Sequence, residues 1–132
     1  MSVVPATLLL HRGHGPRHAD LILGTGARCV TVHLGTAAGR WRVSLGMPHR
    51  RRYLTYRGPV SGERGTVVQL WRGLAWCARS ANLLRCRAHP NPLFLMKMRG
   101  GFHFAGSAPT GVVAGRGELV VPLHRTATLP RS

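Results

Sequence analysis

His18-Ala19-Asp20-Leu21-Ile22-Leu23-Gly24-Thr25-Gly26-Ala27-Arg28-Cys29-Val30-Thr31-Val32-His33-Leu34-Gly35 is the stretch that decides the fold. Its apolar residues fall in two short runs, 19–23 and 29–34, with Gly24, Gly26 and Gly35 at their ends. The second run alternates and reads as a strand. Successive side chains on a strand point to opposite faces, so a strand over 19–23 puts His18 and Asp20 on one face. Leu21 and Leu23 then take the other.

The same grammar repeats outward. Residues 7–10, 41–45, 66–71 and 118–123 read as further strands, with Trp41, Val43 and Leu45 on a common face. Gly and Pro recur between them at short spacing. The chain is therefore expected to be mainly β, a small closed or nearly closed barrel with one or two short helices. Residues 74–87 fit two forms, because Leu74, Cys77 and Ala78 share a helical face while a strand also suits them. Residues 89–117, rich in Gly, Pro and basic side chains, show no period. One domain over 1–125 is expected, with a frayed tail over 126–132.

The chain has 132 residues and carries 19 basic side chains against three acidic ones, a net charge of +16. Such a surface attracts polyanions, and nucleic acid is the expected partner. All the bases but Lys97 are arginine, which grips phosphate in a bidentate way; a GC-rich coding bias gives the same skew. No apolar run is long enough for a membrane helix, and no long basic amphipathic helix is in view, so no membrane partner is expected. Residues 1–10 lack the basic start of a secretory signal. Cys29, Cys77 and Cys86 are odd in number and irregularly spaced, which fits free thiols in a reducing, cytoplasmic setting. No nucleophile elbow, P-loop or dinucleotide fingerprint occurs.

Three of the eight histidines, His11, His14 and His18, crowd around Asp20, the only aspartate. Two imidazoles and a carboxylate suit a catalytic divalent metal with an open position. The plain alternative for His18 and Asp20 is a structural ion pair. A second constellation runs His49-Arg50-Arg51-Arg52-Tyr53-Leu54-Thr55-Tyr56-Arg57-Gly58, then Gly62, Gly65 and the β-rich 66–71. Its arginines can contact phosphate oxygens, and His49 and Tyr53 can donate hydrogen bonds to them. The alternative is a solvated basic turn around a packed tyrosine. His33 reads as a partly buried structural histidine. Trp41, Trp71 and Trp76 read as core or barrel lining, with an exposed one able to stack on an unpaired end.

Together, His18-Ala-Asp20, His49-x-x-x-Tyr53, Tyr56-Arg-Gly58 with its Gly-rich turn, and Trp71-Arg-Gly73 resemble the 3′-phosphoesterase module of bacterial ligase-D-type DNA end-joining proteins, and its short stand-alone relatives in particular. The likeness covers residues 7–73. It implies a β-barrel with small helices that binds a divalent metal, typically manganese, and trims DNA 3′ ends. Such enzymes remove a terminal ribonucleotide and then the 3′ phosphate. By position it implies metal ligation by His18 and Asp20, with His11 or His14 as the first histidine and His11 preferred. His49 and Tyr53 would hold the scissile phosphate; Arg40 or Arg42, the latter preferred, would stand in for a second phosphate-binding arginine without aligning to it, and Arg50 and Arg52 of the basic run would assist. It also implies a nucleoid-associated bacterial setting, DNA end repair and work beside a ligase or polymerase. The family has an arginine two residues after the aspartate, where this chain has Ile22. The competing reading is a non-catalytic, Arg-rich nucleic-acid-binding β-domain.

Overall fold

The computed structural model describes residues 2–13, 18–37, 40–60, 65–91, 111–113 and 117–123. His14, most of the stretch 89–117 and the whole tail 126–132 lie outside them. Ten strands run along the described residues. They are β1 (Ser2–Arg12), β2 (His18–Leu23), β3 (Arg28–Ala37), β4 (Arg40–Leu45), β5 (His49–Arg50), β6 (Gly58–Pro59), β7 (Thr66–Arg79), β8 (Leu83–His89), β9 (Val112–Val113) and β10 (Leu119–Pro122). A single 3-10 turn, Arg51–Leu54, is the one helical element among these residues.

The main sheet has the order β4-β3-β2-β1-β7-β8-β10-β9, and its pairings are antiparallel. The sheet curls until its ends nearly meet. An isolated bridge joins Val43 to Gly111, whose amide donates to the Val43 carbonyl at 2.7 Å. Gly111 is required at this seam, since a Cβ there would run into the Val120 carbonyl. The protein is thus mainly β, with a nearly closed, barrel-shaped sheet. Among the described residues no helix is long and apolar enough to cross a membrane.

Period-2 alternation divides the long strands between two environments. Ala6, Leu8 and Leu10 of β1, Ala19, Leu21 and Leu23 of β2, Val32 and Leu34 of β3 and Val43 of β4 face inward. They meet Trp71, Ala75 and Cys77 of β7 and Leu84, Cys86 and Ala88 of β8 in one core. A second, smaller cluster lies on the outer face, where Leu54 of the 3-10 turn packs with Leu9, Ile22, Cys29 and Val67. That cluster holds the turn against β1 and β2. Removing the Leu54 side chain would cost about 2–5 kcal/mol by the usual scale for buried leucine.

Residues 74–87 form no helix: they are the end of β7, a turn over 80–82 and the start of β8. β8 alternates strictly, with Leu84, Cys86 and Ala88 buried and Leu83, Arg85, Arg87 and His89 exposed. The apparent helical face of Leu74, Cys77 and Ala78 is divided, because Cys77 enters the core while Leu74 is exposed. All three cysteines are buried thiols, and burial pushes Cys77 up to about 11 and Cys86 up to about 12.

Candidate metal centre and phosphate cleft

The outer ends of β1 and β2 bring the first constellation together. The antiparallel register sets His11 opposite His18, and their rings lie 5.0 Å apart. His18 and Asp20 occupy the outer face of β2, opposite Leu21 and Leu23, because the strand keeps its alternation. The ligand atoms of His11, His18 and Asp20 all lie within 4.8 Å of one another. Two donors at 2.0–2.2 Å from one ion are at most about 4.4 Å apart. Small side-chain rotations therefore bring this set into ligating range, and its chemistry, two imidazoles and one carboxylate, suits a divalent ion.

Asp20 is buried, at 3% exposure, and is held from two sides. Its Oδ2 lies 3.5 Å from His18 Nε2. Its Oδ1 accepts a hydrogen bond from His33 Nδ1. His33 sits directly opposite Asp20 in the β2–β3 register, and Gly46 makes room for its ring: a Cβ there would collide with it. Burial by itself raises the Asp20 carboxyl, but hydrogen bonds to His18 and His33, with their charge, outweigh it and hold the group below the usual carboxylate range. His33 is thus the residue that local reading missed. It is partly buried, as expected, but its role is to fix the carboxylate.

The second constellation is anchored by the 3-10 turn. Arg51 is tied back to the β2–β3 turn, with its amide on the Ala27 carbonyl at 3.1 Å and its guanidinium on the Gly26 carbonyl at 3.4 Å. Arg52 lies over both Tyr53 and Tyr56, 5.1 and 5.0 Å from the ring centroids. Cation–π stacking of this kind fixes the plane of the guanidinium. The Tyr53 ring meets His49 edge-on at 5.6 Å.

His49 Nδ1 lies 2.8 Å from Thr31 Oγ1 and 3.1 Å from the Met47 carbonyl oxygen. A carbonyl only accepts, and the Thr31 hydroxyl already donates to the Cys29 carbonyl. The proton of the neutral ring therefore sits on Nδ1, which leaves Nε2 as the basic nitrogen. Burial pushes the His49 imidazole down, while Asp20 and the Met47 carbonyl push it up and His33 and His11 oppose them; the net direction is down. A largely neutral imidazole is the outcome.

A cleft of about 440 Å³ joins the two constellations. Its walls include His11 from the first, and His49, Arg50, Arg52 and Tyr53 from the second. Arg28 lines it as well, a basic residue that gave no signal in the sequence because it follows a turn. Arg28 is paired directly opposite Arg50. Like charges set opposite each other across a strand pair repel, and an anion between them relieves the cost.

Arg42 shares the outer face, on β4 opposite Gly35, but does not line this cleft. Ile22 stands where the resemblance leads one to expect an arginine. It is fully buried among Leu9, Cys29 and Leu54, so its position is part of the apolar floor and offers no cation. No protein-family model and no curated protein matches this chain.

Proposed function

We propose that the protein is a divalent-metal-dependent phosphoesterase that trims 3′ ends of nucleic acid, taking off a terminal ribonucleotide or a 3′ phosphate. One observation carries the reading. The cleft that His11 shares with His49, Tyr53 and three arginines opens beside the buried His18–Asp20–His33 network. One metal-type donor, His11, thus lines the hollow with the anion-type donors, and His18 and Asp20 cluster with it just outside, an arrangement suited to hydrolysis of a phosphate ester.

His11, His18 and Asp20 would hold the metal, which the family resemblance makes manganese. When bound, a divalent ion supplies Lewis acidity to a phosphoryl centre. The chain's own groups do the rest. His33 keeps one carboxylate oxygen of Asp20 occupied and turns the other toward His18. Arg28, Arg50 and Arg52 draw the phosphate in and stabilise the charge that builds on its oxygens. The Tyr53 hydroxyl donates to the same oxygens. His49, with its proton on Nδ1, would take a proton at Nε2 from the water that attacks phosphorus, as the P–O bond to the departing oxygen breaks and that oxygen is protonated from solvent. Arg28 fills the electrostatic role that the family gives to the residue at the Ile22 position. In this reading the protein would work in end repair, upstream of a ligase or polymerase.

The non-catalytic binding reading keeps one observation in its favour, the apolar burial of Ile22. Against it stands Asp20. A carboxylate beside a phosphate groove repels the ligand unless a cation sits on it. The test is direct. Oligonucleotides ending in a 3′ phosphate or a 3′ ribonucleotide are incubated with and without manganese, and release of 3′-hydroxyl ends is followed. Wild type should trim only with metal, and Asp20→Asn should not trim. If wild type is inert with every divalent metal and Asp20→Ala binds nucleic acid as well or better, the enzyme reading is abandoned.

A further inference from the structure

A second surface lies at the other end of β1. Val3 and His11 share the outer face of that strand by parity and stand eight residues apart, ~26 Å at the usual rise. Beside Val3 the register places Trp76 of β7, and beside Trp76 it places Arg87 of β8. The next row runs Pro5, Leu74 and His89. The alternation that buries Ala75, Cys77, Cys86 and Ala88 thus delivers an outward row of apolar, aromatic and basic side chains.

This face breaks the usual rule for a barrel exterior. Val3 is 65% exposed and Leu74 57%. The Arg87 guanidinium stacks over the Trp76 ring, 5.7 Å from its centroid. Arg72, outward and exposed, follows on β7, opposite Thr7. Arg85 on the same face is neutralised by Glu118 at 2.8 Å, so among the described residues the positive charge of this face rests on Arg72 and Arg87. An open groove of about 670 Å³ runs here between Val3, Leu74, Trp76, Arg87, His89 and Asn91.

We propose that this groove is a platform for single-stranded nucleic acid, which lies across it with a base stacked at Trp76 and its phosphates on Arg87 and Arg72. Charge decides the occupant. On a chain of net charge +16, a second copy would bring like charges together, whereas a polyanion is attracted. Apolar and aromatic side chains interleaved with arginine are what base stacking and backbone contact together need. The ~26 Å from the platform to His11 lies within the reach of a bound strand several nucleotides long. The proposal rests on the phosphoesterase reading only in taking nucleic acid as the ligand.

The test measures binding without turnover. Fluorescein-labelled oligo-dT and oligo-U of 4 and 16 nucleotides are titrated with the full chain in chelator, by anisotropy. Trp76→Leu should weaken binding of the 16-mer about tenfold, the order expected for one lost base stack, while Trp76→Phe keeps most of it. Arg87→Gln should lower the salt slope by about 0.7. Unchanged 16-mer affinity in folded Trp76→Leu overturns the proposal. So does equal weakening on duplex DNA, or a change of oligomeric state by light scattering with oligonucleotide affinity intact, which would give the face to a second copy. Trimming assays report separately. An inert wild type that still binds through Trp76 sinks the enzyme reading alone, and a trimming enzyme indifferent to Trp76 sinks the platform alone.

Discussion

The outer face of the barrel is roofed at one end and bare at the other. Over β1 to β3 the 3-10 turn plants Leu54 on Leu9 and Ile22, and the polar groups beside it are buried or half-buried. Over β7, β8 and the start of β1 the same alternation leaves Leu74 and Val3 in solvent, with Trp76 and Arg87 beside them. Both ends obey the period-2 rule, and both carry cationic groups. The difference lies in water. Under the roof, one carboxylate concentrates its charge on two imidazoles in a medium of low dielectric. On the bare end, each charge is screened by solvent and acts on its surroundings weakly, at a range set by salt. Chemistry is therefore expected under the roof and binding in the open.

Asp20 offers the hardest blow to this contrast. Asp20→Ala takes the anionic donor from the cluster and leaves His18 and His33 facing a void. Breaking a buried, hydrogen-bonded charge pair costs about 3–5 kcal/mol, so thermal unfolding should drop markedly. Asp20→Asn keeps the shape and isolates the charge; metal-stimulated trimming should fall by about 10³-fold or more, with a smaller loss of stability. On the bare end, Trp76→Leu should move stability by only about 0.5 kcal/mol. Chemical denaturation of these variants side by side checks the ordering. Equal losses at Asp20 and Trp76 would erase the distinction between the two ends.

His49 comes next. His49→Ala should slow turnover by about 10²–10⁴-fold, the range for a lost general acid–base group. Metal affinity, read by calorimetry, should stay near that of wild type, because His49 is not one of the clustered donors. A fall in metal affinity matching the fall in turnover would move His49 from proton transfer into the metal set.

His33 ranks below both, since it acts through Asp20. His33→Ala should weaken metal binding about 10–100-fold, the usual effect of removing a partner that orients a ligand. Gly46→Ala should do the same in milder form, because its Cβ displaces the His33 ring. If His33→Ala binds metal normally, Asp20 does not need its second anchor.

The contrast also marks how far local reading reaches. The strands over 7–10, 19–23, 29–34 and 41–45 are legible because one face of each is apolar and alternates with the other. The shared face of His18 and Asp20 follows from the same period. The partnership of Asp20 with His33 does not, because it spans thirteen residues and depends on a register that no local pattern encodes. Arg28 was hidden in the same way: it joins the cleft only because β3 pairs with β5. Residues 74–87 stayed open between helix and strand for another reason. An exposed Leu74 and an outward-facing, half-buried Trp76 blur the apolar–polar alternation that marks a strand, and those departures are the features that give the bare face its proposed role.

The smallest effect separates arginines that the sequence treats as equals. Arg28 lines the cleft, whereas Arg51, one residue from Arg50 in the basic run, has its guanidinium tied to the Gly26 carbonyl. Arg28→Gln should lower the slope of log affinity against log salt by about 0.7 on single strands, one phosphate contact. Arg51→Gln should leave that slope unchanged, because its charge is turned toward the backbone and away from the ligand. Both variants lose one positive charge, so a purely long-range attraction would treat them alike. Equal slopes would mean that the cleft gathers nucleic acid through overall charge alone. A difference confined to Arg28 would mean that individual phosphates sit in it, beside the roofed carboxylate and the imidazole of His49.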